Sequence, residues 1–405
     1  MKILHTSDWH LGNRMMACSR KEEFEHFLRW LLECIEQERP DALLVCGDVF
    51  DTTTPAESTR ELYCDFLSRA DACGCRRVII TAGNHDGVAQ LGVSKPLLKR
   101  HHCTVVTKLS AAEAEECLVP ICSETGEALG LVCAVPYLRP CEVSLPQVEE
   151  ERQFSYVRGV EAVYARVAEL AAAWKAAHPG LPVVAMGHLP VQGVETTAAT
   201  RALIGTLDAV GEDIFAEVFD YVALGHIHKP TPDASARVQY CGSPLPIGKD
   251  ETTYPHRVLV AELGGGVRRV RALEVPLWVT YRAAVCADRP ALEALVEEVK
   301  QSGKSRVCLE VEYGGADLST PELNTYLRAA LPPEQVPLIR AARLRETLRL
   351  SRAPGGAAER LADYTPELIF RRRLAEYLER YPEQAPRREL LAGLFGDVLR
   401  EIQNQ

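Results

Sequence analysis

Ile3-Leu4-His5-Thr6-Ser7-Asp8-Trp9-His10-Leu11-Gly12 carries the decision about the fold. A strand from Lys2 to Thr6 breaks off into a carboxylate and an imidazole two positions apart, Asp8 and His10. Four more short apolar strands end in the same way. Leu43 to Cys46 runs into Gly47-Asp48, and Val78 to Ala82 into Gly83-Asn84-His85-Asp86. Val183 to Met186 runs into Gly187-His188, and Tyr221 to Leu224 into Gly225-His226-Ile227-His228.

Amphipathic helices lie between these strands. Phe24, Phe27, Leu28, Leu31, Leu32 and Ile35 recur at helical spacing between Ser19 and Glu38 and define one apolar face. Thr54-Pro55-Ala56-Glu57 reads as a second helix start, with a capping threonine, proline in the first helical position and a glutamate to close the capping box. The alternation predicts a layered α/β fold. In open α/β sheets ligands bind beyond the carboxyl ends of the strands, so clusters far apart in sequence can converge there. Glycine precedes four of the five clusters, letting the backbone turn sharply and lie close to whatever is bound.

The side chains in these clusters share one chemistry. Asp8, His10, Asp48, Asn84, His188, His226 and His228 are carboxylates, imidazoles and an amide, a set suited to manganese, magnesium, iron or zinc. Seven side chains exceed the needs of one ion, and a bridging Asp48 would make two sets of four. Two ions held ~3.5–4 Å apart neutralise phosphate oxygens and steady a leaving group, which is phosphoester hydrolysis. Each cluster alone has a plainer explanation as a turn or a hydrogen-bonded histidine. Five together, all at strand ends and all of metal-competent chemistry, do not.

Composition narrows the partners. The 405 residues carry a net charge of −10, so any nucleic-acid contact must be a local basic patch or be lent by a partner. The amino terminus runs straight into a strand without an apolar signal region, so the 14 cysteines read as free thiols in a reducing cytoplasm. Cys73 and Cys75 have no second pair at zinc-finger spacing. No apolar run reaches transmembrane length, and no Walker-type phosphate loop occurs, so any ATP dependence must come from another chain.

A composition change near Gly264-Gly265-Gly266 suggests a boundary around residue 275. We expect a first domain over 1–274 and a small α+β capping domain over 275–350. In the latter, Trp278 to Cys286, Val307-Leu309-Val311 and Val336 to Ala341 read as strands, and Pro290 to Gln301 and Pro321 to Leu331 as helices. A linker over 351–362, containing Pro354-Gly355-Gly356, leads to a helical tail over 363–405. That tail reads as a hairpin with two apolar stripes, Phe370, Leu374, Tyr377, Leu378 and Tyr381, then Leu391, Leu394, Phe395, Val398 and Ile402. Such a hairpin packs on its own domain or docks on a partner's coiled coil.

The order Asp-x-His, Gly-Asp-x-x-Asp, Gly-Asn-His-Asp, Gly-His and Gly-His-x-His resembles the calcineurin-like metallophosphoesterases. Narrower stretches, the opening decapeptide, Gly47-Asp48-Val49-Phe50-Asp51, Leu224 to His228 and Tyr240-Cys241-Gly242-Ser243-Pro244, are similar to the SbcD family of nuclease subunits. The resemblance implies one metal held by Asp8, His10, Asp48 and His228, and a second by Asp48, Asn84, His188 and His226. It makes His85 the catalytic histidine, with Asp86 and Asp51 orienting the ligands. It further implies Mn²⁺ (with Mg²⁺ as the alternative), 3′→5′ exonuclease action on double-stranded DNA ends and endonuclease action on hairpins and single strands. The implied partner is an SbcC-type coiled-coil ATPase, in a heterotetramer built on a homodimer. Two other readings compete: a phosphodiesterase or phosphatase acting on a small molecule or phosphoprotein, and a non-catalytic scaffold for an ATPase.

Overall fold

The computed structural model describes residues 1–15, 18–92, 98, 102–143, 152–192, 194, 209–233, 235–302, 306–343, 374 and 395. Along the chain the strands are β1 (Lys2–Thr6), β2 (Arg14–Met15), β3 (Cys18–Ser19), β4 (Ala42–Cys46), β5 (Val78–Thr81), β6 (Cys103–Val106), β7 (Leu118–Cys122) and β8 (Ala128–Ala134). They continue as β9 (Val183–His188), β10 (Tyr221–Gly225), β11 (Val238–Tyr240), β12 (Arg257–Gly264), β13 (Val267–Glu274), β14 (Thr280–Cys286), β15 (Val307–Tyr313) and β16 (Leu338–Arg343). Two sheets form the main body, one in the order β13-β12-β1-β4-β5-β6 and the other β11-β10-β9-β8-β7.

Period-two alternation explains how these sheets stack. In β4, Ala42, Leu44 and Cys46 point into an apolar layer shared with Val132, Val184, Met186 and Tyr221 of the other sheet. Leu43 and Val45 point the opposite way, against helix α1 (Lys21–Glu38) and helix α2 (Glu57–Ala72). Both faces of the strand are therefore buried, which is why it reads as a continuous apolar run. The helix over Arg152–Ala177 covers the outer face of the second sheet through Val160, Val163, Tyr164 and Val167. The result is a layered α/β body, helix on sheet on sheet on helix.

Helix α1 buries the six apolar residues of its expected face. Helix α2 departs from the expected start: Ala56 is its N-cap, and no side chain caps it. Thr54 and Pro55 lie outside because the preceding segment is committed elsewhere. Asp51 accepts from His85 Nδ1 through its carbonyl at 2.9 Å and meets His10 Nδ1 through its carboxylate at 3.1 Å.

After residue 275 the chain forms a third sheet, β14-β15-β16, with its own core of Leu292, Val296, Leu309, Val311, Leu323 and Leu327. Its strands pair in parallel through helical crossovers at Arg289–Gln301 and Thr320–Ala330, a pairing that an α+β reading leaves out. Gly264-Gly265-Gly266 is the turn joining antiparallel β12 and β13, and the composition change there marks a hairpin. Met1–Leu344 makes one compact unit. The linker and most of the tail lie outside the described residues; Leu374 and Phe395 are helical.

Candidate metal centre

The five clusters meet where the strand ends of the two stacked sheets come together. Loops after β1 and β4 are laced together by backbone hydrogen bonds, Asp8 N to Gly47 O and His10 N to Asp48 O, both 3.0 Å. The second sheet joins through His226 N, which donates to Asp8 Oδ1 at 2.9 Å, and through His188 Nδ1, 2.9 Å from Cys46 O. Asp8, His10, Asp48 and His226 hold positive φ angles of 51°, 46°, 49° and 93°. Non-glycine residues rarely adopt this region, and doing so costs of order 1–3 kcal/mol each, so the surrounding fold holds the side chains in a set direction.

The glycines serve close approach more than turning. A Cβ on Gly83 would stand 2.1 Å from Asp48 Oδ1, and one on Gly225 would stand 1.9 Å from Cys46 O. Only Gly47 of the four combines a tight fit with positive φ, at 82°.

Two buried groups of metal-competent side chains result: Asp8, His10 and His228, and Asp48, His188 and His226. Asn84 faces the second group, its Oδ1 3.0 Å from both His188 Nε2 and His226 Nδ1. Asp48 stands between the groups, with Oδ2 3.2 Å from His188 Nε2 and 3.7 Å from His10 Nε2. His10 Nε2 and His228 Nε2 approach to 3.2 Å. All seven residues expected from the sequence thus gather in one place.

A third cluster, His10, Asp51 and His85, is a hydrogen-bonded support. Asp51 engages the Nδ1 of both histidines, which turns each Nε2 away from it. His228 Nδ1 likewise meets Glu251 Oε1 at 2.7 Å, and His188 Nδ1 meets the Cys46 carbonyl. Imidazoles fixed through Nδ1 by an oxygen acceptor present an Nε2 lone pair, the arrangement that orients metal-ligating histidines. His226 differs, presenting Nδ1 to Asn84.

Electrostatics point the same way. Asp8 and Asp48 are buried, and among the described residues their ion-pair partners within 4.0 Å are only histidines. Buried carboxylates without a lysine or arginine beside them call for cations. Burial disfavours a charged His188, but Asp48 and Asp8 outweigh it and push its pKa up to about 9. His10 is also raised: burial opposes the cation, and Asp51, Asp48 and Asp8 overcome it. His226 goes the other way, to about 3, through burial and then its cationic neighbour His188. Oxygen and imidazole donors converging on a negative, buried pocket fit divalent metal ions.

Asp86 does not touch the ligands directly. Its carboxylate accepts from the backbone of Gly83, Val49 and Phe50 at 2.8, 3.2 and 2.9 Å, stapling two ligand loops together. Burial, then the nearby Asp48 charge, push its pKa up to about 6. Sequence reasoning missed Glu251, because Lys249-Asp250-Glu251 reads as a solvated turn. Only its closeness to Gly242-Ser243-Pro244 hinted otherwise; Ser243 Oγ donates to Glu251 Oε2 at 3.4 Å.

Residues 1–230 match the calcineurin-like phosphoesterase family. The SbcD subunit of the nuclease SbcCD from Escherichia coli is 34% identical over 415 aligned positions, spanning 99% of this chain and 98% of that protein. The chain belongs to the SbcD family of calcineurin-like phosphoesterases. Another member, the SbcD subunit of the Rhodobacter capsulatus nuclease SbcCD, is 33% identical, over 91% of this chain and 93% of its own. A dimetal phosphatase from Danio rerio aligns with a TM-score of 0.38 and 13% identity over 68% of this chain and 98% of its own, too loosely to bear on the site. As a member of the SbcD family, the chain is a metal-dependent hydrolase of phosphodiester bonds. No helix among the described residues is long and apolar enough to cross a membrane.

Proposed function

We propose that this chain is the nuclease subunit of an SbcCD-type complex, hydrolysing DNA phosphodiester bonds with two Mn²⁺ ions. The observation that carries the reading is the position of Asp48, whose Oδ2 faces His10 on one side and His188 on the other. Asp8, His10, Asp48 and His228 would hold the first ion, and Asp48, Asn84, His188 and His226 the second. Bound there, the ions supply charge neutralisation at the phosphate and an activated nucleophile.

The chain's own residues do the rest. His85 N–H donates to Asp48 Oδ1 at 2.8 Å, which ties the histidine's backbone to the proposed bridging ligand. Its Nδ1 is occupied by the Asp51 carbonyl, which leaves Nε2 as the ring nitrogen that would serve the departing 3′ or 5′ oxygen. Asp51 and Glu251 keep His10 and His228 in the tautomer that offers Nε2, and Asp86 keeps the loops that carry Asp48 and Asn84 in register.

Family membership supports 3′→5′ degradation of double-stranded ends and cleavage of hairpins and single strands, in DNA recombination, replication and repair within the cytoplasm. It also supports an SbcC-type ATPase as partner, with a nuclease homodimer inside a heterotetramer. The unit after residue 275 would cap the site, and the tail over 363–405 would dock on the partner. The purified chain with Mn²⁺, offered hairpin DNA, a cyclic nucleotide and a phosphopeptide, should cleave the DNA. Turnover of either other substrate with intact DNA would replace this reading with a small-molecule phosphodiesterase or a phosphatase.

A further inference from the structure

Arg20 is buried, and its guanidinium is shared among three separate parts of the fold. Nε and Nη2 clasp Glu23 in a bidentate pair at 3.1 and 3.0 Å. Nη1 donates to Asn13 Oδ1 at 3.0 Å and to the Pro246 carbonyl at 2.7 Å. A planar fork of this kind can serve several acceptors in fixed directions, which a lysine ammonium cannot.

Each acceptor leads somewhere. Asn13 Nδ2 donates to Asp51 Oδ1 at 3.1 Å, the oxygen that lies 3.1 Å from His10 Nδ1. The Pro246–Ile247 peptide unit takes Arg20 on its carbonyl and gives its N–H to Glu251 Oε2 at 2.8 Å, while Glu251 Oε1 meets His228 Nδ1 at 2.7 Å. Glu23 Oε1 in turn accepts from the Tyr281 hydroxyl at 2.5 Å, and Tyr281 belongs to β14 of the third sheet. The guanidinium carbon sits 5.4 Å from the Tyr281 ring centre. A second tie, Lys249 to Glu310 of β15, holds the same sheet two residues from Glu251.

Both routes end on His10 and His228. The described side-chain hydrogen bonds of the other group's histidines reach neither Arg20 nor its acceptors: His188 meets Cys46 O and Asn84, and His226 meets Asn84. Resting on the two-ion reading above, we infer that Arg20 is a positioning residue: it makes the affinity of the first metal position depend on how the unit after residue 275 is seated, and leaves the second position alone. The same chain of contacts makes Tyr281 the sensing end and Asp51 and Glu251 the two delivering ends.

Stepwise Mn²⁺ binding to the full chain, measured by calorimetry beside thermal unfolding of the metal-free protein, tests this. Loss of one step in His228→Ala identifies the first position. Arg20→Lys keeps the charge and loses the fork, and it should weaken that step by roughly 10-fold, the low end for lost outer-sphere partners of a metal ligand, with the other step unchanged. Tyr281→Phe removes one hydroxyl and leaves Arg20 whole, so it keeps the test open if Arg20→Lys fails to fold; it should shift the same step by a smaller factor. Equal weakening of both steps, or no change in either variant against a wild type that binds two ions, overturns the inference alone. A wild type that takes up fewer than two ions overturns the two-ion reading and this inference with it.

Discussion

Glu251 Oε1 lies 2.7 Å from His228 Nδ1, and both side chains are buried. Burial raises the carboxyl pKa, yet the hydrogen bond and charge of His228 and the Ile247 N–H outweigh it and hold Glu251 ionised. The carboxylate therefore makes His228 a stronger electron donor at Nε2. Glu251→Gln keeps one acceptor oxygen, removes the charge and turns a donor towards one of the buried partners, so Mn²⁺ affinity at one position should fall by roughly 10-fold or more, with a metal-free stability loss of about 1–3 kcal/mol. Calorimetric titration reads both; unchanged affinity would remove Glu251 from the site.

Asp48 sits between the two ligand groups, so Asp48→Asn should weaken both ions and abolish cleavage. The fold should survive. Asparagine tolerates the positive φ of 49° at this position, and its amide oxygen can still accept from His85 N–H. Two ions still bound and DNA still cut, in a metal count beside a nuclease assay, would defeat the bridging role.

His85 engages its neighbours through its backbone N–H and Nδ1, leaving the ligand groups to other side chains. In His85→Ala the backbone bond to Asp48 remains. Both metals and DNA binding should be retained while single-turnover cleavage drops by roughly 10²–10⁴-fold, as for a lost general acid. Loss of metal in that variant would make His85 a ligand instead.

His5 lies in the body of the fold, its ring between the Tyr221 hydroxyl at 2.9 Å and the Leu224 carbonyl at 3.2 Å. Burial, with help from the Arg257 charge and against the Leu224 hydrogen bond, lowers its pKa to about 3. The folded chain thus keeps His5 neutral while the unfolded chain protonates it near its ordinary value of about 6.5. Its contribution is whole above that value and is lost as pH falls towards 3, at up to about 1.4 kcal/mol per pH unit. Denaturant titrations of the metal-free protein should therefore show the stability gap between wild type and His5→Gln narrowing from pH 6.5 to pH 4. A constant gap would mean that the buried ring is charged.

Most of the tail lies outside the described residues, and its sequence carries two apolar stripes. A chain ending at Ala362 should keep metal binding and Mn²⁺-dependent cleavage of single-stranded DNA. It should lose stable association with an SbcC-type partner, and ATP-stimulated degradation of double strands with it. Undiminished co-purification with that partner would return the tail to packing within its own chain.

The amino-acid sequence by itself determined the five strands that carry the polar clusters, the α/β layering and the seven candidate ligands. Those features are local: an apolar run with period two, a helical stripe such as Phe24 to Ile35, and a polar cluster at each strand end can each be read within ten residues. Even there, the start of α2 was out of reach, because Asp51 is held by His10 and His85, contacts that local capping rules do not contain. Tertiary structure alone decided which residues stand behind the ligands. Glu251 is brought to His228 by a turn that looks solvated in sequence, and Arg20, an ordinary basic residue before a helix, becomes buried between Glu23, Asn13 and Pro246. The physical reason is that a ligand announces itself by its own chemistry and position. A supporting residue has no such mark until the fold closes around it, removes its water and leaves a few fixed hydrogen-bond partners within reach.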